Sequence, residues 1–449
     1  MENFLRTAIF DVKHRQRALV RWALVAAIVG NVSGCAPVRG VLAALPPGTS
    51  PAAVATPSPP APPMSTPSDA PKEGATAAVT EAVTAEPSDA VIDALPSPPA
   101  DTALRDGLAW DEAQALPVVV RRKEALWQPV YWRQVPGWGS DDLESFWAAW
   151  VRSCERPARA LASQCDAIRR LSIGDNAQRY EWIMRTWQPY RVTALDGQRR
   201  GLLTGYFEPM MRASRIKTAT HQTPMYAPPP GLTSGSPWFT REEMETDPRA
   251  LAALQGRELV WMANPIDALI IQIQGSGRLE ITEPDGRVQV ARLAFAAHNG
   301  HTYQSVARGL LDSGDITEPS WPAIKAWAAQ KPDAVQGVLW RNPRTVFFQE
   351  EDLSEIDAAA GPRGAQGVPL TPMRSIAVDR RSIPYGTPVW MTTAGPTMRG
   401  ARLVMAQDTG GAIVGAVRAD FFAGWGDEAA RLAGGLKQPL HLWVLWPRS

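Results

Sequence analysis

The stretch Arg402–Gly426, RLVMAQDTGGAIVGAVRADFFAGWG, decides how this chain is read. It carries two aspartates, Asp408 and Asp420, twelve positions apart among five glycines. The run Leu403, Val404, Met405 reads as a short buried strand. Asp408 stands where that strand gives way to Thr409-Gly410-Gly411, a turn signal. A second strand-like piece, Gly415 to Val417, leads to Asp420, and Phe421 and Phe422 follow. Both carboxylates are thereby placed at strand ends. A carboxyl group against two phenylalanine rings is desolvated, which raises its pKa and keeps it protonated near neutrality. That is the state a general acid needs. The other reading is a pair of turn aspartates that bond their own backbone, and spacing alone does not separate the two.

Outward from this stretch, the chain from Tyr190 onward is built of short apolar runs divided by Gly, Pro and Asp. Arg200–Tyr206, Leu259–Met262, Ala268–Gln274, Arg278–Thr282, Val288–Ala296, Thr345–Gln349, Ile376–Asp379, Pro388–Met391 and Pro439–Trp446 are strand candidates. Many short strands with Gly/Pro turns predict a barrel rather than a wound parallel sheet. In Ala268–Gln274 (ALIIQIQ), Gln272 and Gln274 alternate with isoleucines, so a strand would turn both amides to one face. Such a face bonds sugar hydroxyls or peptide groups, or is merely solvated. Upstream, Leu143, Phe146, Trp147, Trp150 and Val151 predict a helix over Asp141–Arg152, with Asp141 and Glu144 as a capping pair. A second helix is expected over Asn176–Trp187, and Thr240 with Glu243 opens a short one.

The chain has 449 residues, but the first hundred or so do not read as globular. Arg6, Lys13, Arg15, Arg17 and Arg21 precede the apolar run Trp22–Gly30, the pattern of an export signal and too short for a good membrane span. It ends at Val32-Ser33-Gly34-Cys35, which resembles a bacterial lipobox and implies cleavage before Cys35 and its lipidation. Residues 36–105 are rich in Ala, Pro, Ser and Thr, cannot bury a core and read as a tether. An exported protein meets an oxidising compartment, so Cys154 and Cys165 are either a disulfide or two core thiols.

Net charge is +1, and no long basic run lies outside the N-terminus, so nucleic acid is not an expected partner. No HEXXH, Walker, Rossmann or G-x-S-x-G pattern is present, and no metal or cofactor is expected. Asp-Thr-Gly at 408 and Asp-Ser-Gly at 312 raise an aspartic protease, but Asp312 ends a helical pattern, so the two halves are not equivalent. Eighteen tryptophans supply core, with exposed faces suited to sugar rings.

Six pieces together resemble a known family: TGYFEP (204–209), NPIDALIIQIQGSGR (264–278), NGHTYQSVARGLL (299–311), NPRTVFF (342–348), GVPLTPMRSIAVDRRSIPYGTPVW (367–390) and AQDTGGAIVGAVRADFFAGWG (406–426). Their types and order resemble the membrane-bound lytic murein transglycosylase A family, with its C-terminal three-aspartate domain. The resemblance implies a mainly β chain with a few helices. A double-psi β-barrel domain would cover 106–209 and 341–449, with the three-aspartate domain at about 342–447. A smaller inserted β domain would cover 210–340, and a glycan strand would lie in the groove between them. It implies cleavage of the MurNAc–GlcNAc β-1,4 bond of peptidoglycan with formation of a 1,6-anhydro end. Asp420 would be the catalytic acid and Asp408 its partner. Thr204, Tyr206, Gln272, Gln274, Ser276 and Asp379 would line or brace the groove. The family often carries Asp where this chain has Asn264. A lipid-anchored monomer on the periplasmic face of the outer membrane is expected. The alternatives are a glycoside hydrolase using Asp408 and Asp420 as a pair, and a non-catalytic lipoprotein that grips the wall.

Overall fold

The computed structural model describes residues 107–108, 114–233 and 236–448. The export signal, Cys35 and the tether lie outside the described residues.

Among the described residues, fifteen strands carry the fold. In chain order they are β1 (Val120–Arg121), β2 (Leu126–Pro129), β3 (Trp187–Thr193), β4 (Gly201–Glu208), β5 (Met210–Ser214), β6 (Thr223–Tyr226), β7 (Glu258–Met262) and β8 (Ser276–Thr282). Then follow β9 (Val288–His298), β10 (Val346–Asp352), β11 (Ser375–Val378), β12 (Pro388–Ala394), β13 (Arg399–Asp408), β14 (Arg418–Trp425) and β15 (Lys437–Pro447). Six of them close on themselves in the order β15-β12-β13-β11-β14-β4, because β4 also pairs with the first residues of β15. Two of the pairings are parallel, β11 with β13 and β14 with β4. This closed ring is the expected double-psi barrel. The far half of β15 instead carries β3, which is followed by β2 and β1.

The second sheet runs β10-β9-β8-β5-β7-β6. Only Pro209 separates β4 of the barrel from β5 of this sheet, so one extended run of chain crosses between them. The edge strand β10 lies beyond residue 340, so the second sheet takes in residues that the sequence reading assigned to the barrel.

The strand expected at Ala268–Gln274 is a helix, Pro265–Gln274. Asn264 caps its start by accepting from the Ile266 N–H, Pro265 stands in the first turn, and Gly275 ends it with φ of 83°. A short apolar run does not by itself distinguish a buried helix from a strand. Here the flanking Asn-Pro and Gly, which start and stop helices, decide the matter. Gln272 and Gln274 consequently do not share a face, since residues two apart on a helix diverge.

The helix Glu144–Ser153 forms where its apolar periodicity places it, but Asp141 does not cap it. The Asp141 carboxylate instead binds the Arg374 guanidinium at 2.5 and 3.0 Å and the Leu403 N–H at 2.8 Å. It thus ties the helical layer to the barrel. The Thr240–Glu243 capping box forms as expected. Trp132, Trp138, Trp147, Trp150, Trp182, Trp187, Trp390 and Trp443 fill one core between this layer and the barrel. Their rings are committed to packing and are not available as sugar platforms.

Cys154 and Cys165 are joined as a disulfide, with Cα atoms 5.5 Å apart. It staples the end of this helix to the helix Cys165–Arg170. Closing so short a loop is worth about 3 kcal/mol. A Cys154→Ser, Cys165→Ser chain is expected to lose about 2–3 kcal/mol in urea denaturation.

Candidate active site

Asp408 ends β13 and Asp420 is the third residue of β14. The strand between them is β11, and its Ala377 is the register partner of Asp408 on one side and of Asp420 on the other. Beyond Asp420, the partner on β4 is Thr204. Four adjacent strands therefore hold Asp408, Ala377, Asp420 and Thr204 in one row. At ordinary strand spacing the two aspartate Cα atoms stand about 10 Å apart. No sequence spacing reveals this, because the row is assembled by barrel closure.

Side chains of β4 meet both acids. The Thr204 hydroxyl donates to Asp420 Oδ1 at 2.5 Å, and the Tyr206 hydroxyl donates to Asp408 Oδ2 at 2.8 Å. Thr204 and Tyr206 are two apart on a strand and so share a face. The Tyr206 ring packs on Phe422, with centroids 5.2 Å apart.

The two carboxyl groups differ in how fully they are used. Asp408 also accepts from the Ala365 N–H at 2.9 Å. Asp420 accepts from Thr204 alone among the described residues, and its Oδ2 takes no hydrogen bond there. Both are half-buried. Burial pushes the Asp420 carboxyl above the usual carboxylate range, and the Thr204 hydroxyl and Arg418 cation oppose this without cancelling it. Burial likewise pushes Asp408 up, against its donors.

Asp379 is buried and plays a different part. Burial would raise its pKa, but the Arg381 guanidinium and the N–H groups of Gly415 and Arg381 hold it below its ordinary value. Its Oδ2 accepts from Gly415 at 3.0 Å, which pins the loop between Asp408 and Asp420. Gln274 accepts from the Phe207 N–H at 3.0 Å, fastening the end of its helix to β4. Gln272 turns away and accepts from Arg241 at 2.6 Å. Ser276 is buried at the start of β8. Asn264 is a helix cap and takes no part near the acids.

The structure adds residues that the sequence reading missed. The loop 361–367 lies against the site, and a Cβ on Gly364 would meet the Gln407 carbonyl at 2.6 Å, so only glycine lets Ala365 reach Asp408. Arg418 donates to Thr204 Oγ1 at 2.8 Å. Glu208, at the end of β4, is fully buried between Arg278 (2.7 Å) and Arg292 (2.6 Å) of the second sheet. Those arginines also donate to the carbonyls of Ala358 and Ala360, and Arg278 lies 3.9 Å from the Trp425 ring centre at the end of β14. Glu208 and Arg278 both stand inside stretches quoted above. Nothing local links residues 70 apart in sequence, so their pairing is not legible there.

The closed barrel sets two half-buried carboxyls in one row, Asp408 held by two donors and Asp420 with one oxygen open, an arrangement suited to acid catalysis. Residues 202–349 match the MltA specific insert domain, and residues 374–446 match the 3D domain. Membrane-bound lytic murein transglycosylase A of Vibrio cholerae is 32% identical over 285 residues, 59% of this chain and 73% of that protein. Among solved structures, lytic transglycosylase LtgG of Burkholderia pseudomallei is 39% identical with a TM-score of 0.51, covering 74% of this chain and 98% of that one. MltA from Neisseria gonorrhoeae is 28% identical with a TM-score of 0.62, covering 74% and 96%. The chain belongs to the membrane-bound lytic murein transglycosylase A family.

Proposed function

We propose that this chain is a peptidoglycan lytic transglycosylase whose single catalytic acid and base is Asp420. Asp420 Oδ2 protonates the glycosidic oxygen between MurNAc and GlcNAc, and the C1–O bond breaks. The muramic acid 6-hydroxyl then attacks C1 and returns its proton to Asp420, closing the 1,6-anhydro ring. No water is consumed. An intramolecular nucleophile is already present at high effective concentration, so no second activating carboxylate is needed. Hydrolases of glycosides, by contrast, usually work with two. Asp408, held by the Tyr206 hydroxyl and the Ala365 N–H, holds negative charge beside the oxocarbenium-like centre. The observation that carries this reading is the desolvated Asp420 carboxyl, one oxygen of which takes no hydrogen bond among the described residues.

Thr204 and Tyr206 orient the two acids. Gln274, Ser276 and Asp379 brace the walls, and Gln272 acts through Arg241. Solved E. coli MltA with bound chitohexaose, 24% identical, shares the fold with a TM-score of 0.56. Relatives are named membrane-bound. For this chain a lipid on Cys35 and the tether 36–105 would hold a monomeric catalytic part on the periplasmic face of the outer membrane, within reach of the glycan. Among the described residues no helix is long and apolar enough to cross a membrane.

The test is mass spectrometry of the fragments released from purified peptidoglycan by the full chain. Anhydro-ended muropeptides are expected. Reducing ends, heavier by one water, would make the protein a hydrolase with Asp408 as second catalytic group. Sedimentation with the wall and no product would leave a binding lipoprotein.

A further inference from the structure

We propose that Arg418 selects which oxygen of Asp420 carries the transferable proton, acting through the Thr204 hydroxyl. The inference rests on the reading of Asp420 as the acid. Arg418 and Asp420 are two apart on β14 and share a face. Thr204 faces Asp420 in the ladder. The guanidinium can only donate, so at 2.8 Å from Thr204 Oγ1 it makes that oxygen an acceptor. The hydroxyl proton must then point away from Arg418, toward Asp420 Oδ1 at 2.5 Å.

The consequence is directional. Oδ1 is held as the acceptor, and a proton placed there would turn it into the hydroxyl oxygen of the acid, a much poorer acceptor for Thr204. A protonated Asp420 therefore carries its proton on Oδ2, the oxygen that no other described group occupies. Arg418 is itself anchored, donating to the Ala419 carbonyl at 2.6 Å and the Leu202 carbonyl at 3.4 Å. It reaches Asp420 through the hydroxyl rather than by a direct hydrogen bond. A direct pair would hold the carboxyl ionised, which an acid cannot tolerate. The intervening hydroxyl passes on orientation while weakening that effect.

The experiment measures kcat and the pH profile of kcat/KM for release of anhydromuropeptides by the full chain. The variants are Arg418→Met, Arg418→Gln, Thr204→Val and the Arg418→Met/Thr204→Val double. Arg418→Met is expected to lower kcat about tenfold, because the freed Thr204 hydroxyl can turn to accept, and the proton of Asp420 then sits mainly on Oδ1. Losing the cation also raises the Asp420 pKa, so the acid form persists and the alkaline limb moves to higher pH. Arg418→Gln keeps an N–H donor to Thr204, so it should keep most of kcat yet show the shifted limb. The double variant should lose no more kcat than Thr204→Val alone. Losses that multiply to about a hundredfold in the double variant would overturn the relay. So would a fall in kcat for Arg418→Met with the limb unmoved, the signature of a merely structural role. If the wild type releases no anhydro product, the underlying assignment of Asp420 fails instead, and the two failures are distinct.

Discussion

Asp420→Asn is expected to abolish release of anhydro-ended fragments, lowering kcat about a thousandfold. The amide keeps the shape and still accepts from Thr204, but it has no proton to give. Loss of folding would not explain the result, because the sign of the stability change runs the other way. Burial raises the folded-state pKa of Asp420 above its ordinary 3.8. The folded protein therefore binds more protons than the unfolded chain between the two values, and stability falls as pH rises through that window. Above that window the ionised carboxylate is a liability to the fold, and the neutral amide relieves it. The variant should melt at or above the wild-type temperature while being inactive. A thermal melt beside the muropeptide assay checks both halves. An Asp420→Asn protein that kept more than about a tenth of wild-type kcat would remove Asp420 from the acid role. The raised pKa also predicts that kcat/KM falls as pH rises through it, as the acid form is lost.

Glu208→Ala is expected to be the most destabilising single change among those considered, at about 3–5 kcal/mol. It leaves Arg278, 7% exposed, without a carboxylate, and Arg292, 5% exposed, with only Glu351 at 3.9 Å. That is a large part of a typical total stability of about 5–15 kcal/mol. The midpoint in urea measures it. A Glu208→Leu, Arg278→Met, Arg292→Met combination should cost less than Glu208→Ala alone, since it removes the charges together. If Glu208→Ala cost under about 1 kcal/mol, the triad would not be holding the two sheets. Its position makes it more than a local pair. Glu208 ends the strand that carries Thr204 and Tyr206, and Arg278 lies on the Trp425 ring at the end of the strand that carries Asp420. The second sheet is thereby clamped to both strands that build the acid.

The helical layer, the strand-rich remainder and the two aspartates are legible before any folding, because they are written in local patterns. Apolar period, Gly-rich turns and capping boxes act over a few residues and read directly. The same locality explains the misreading of Pro265–Gln274, where ALIIQIQ suits a buried strand or a buried helix and the decision lay in Asn264, Pro265 and Gly275 outside the run. Asp141 is a parallel case, since its cap-like spacing lost to Arg374, 233 residues away. The chemistry within the row Asp408, Ala377, Asp420, Thr204 arises only once the chain is folded. Thr204 and Asp420 are 216 residues apart, and Tyr206 and Asp408 are 202. Barrel closure brings β4 against β14, and the environment built there desolvates both carboxyls, gives Asp408 two donors and leaves one oxygen of Asp420 open among the described residues. Desolvation and hydrogen-bond occupancy are properties of an assembled environment, so no local pattern of residues contains them.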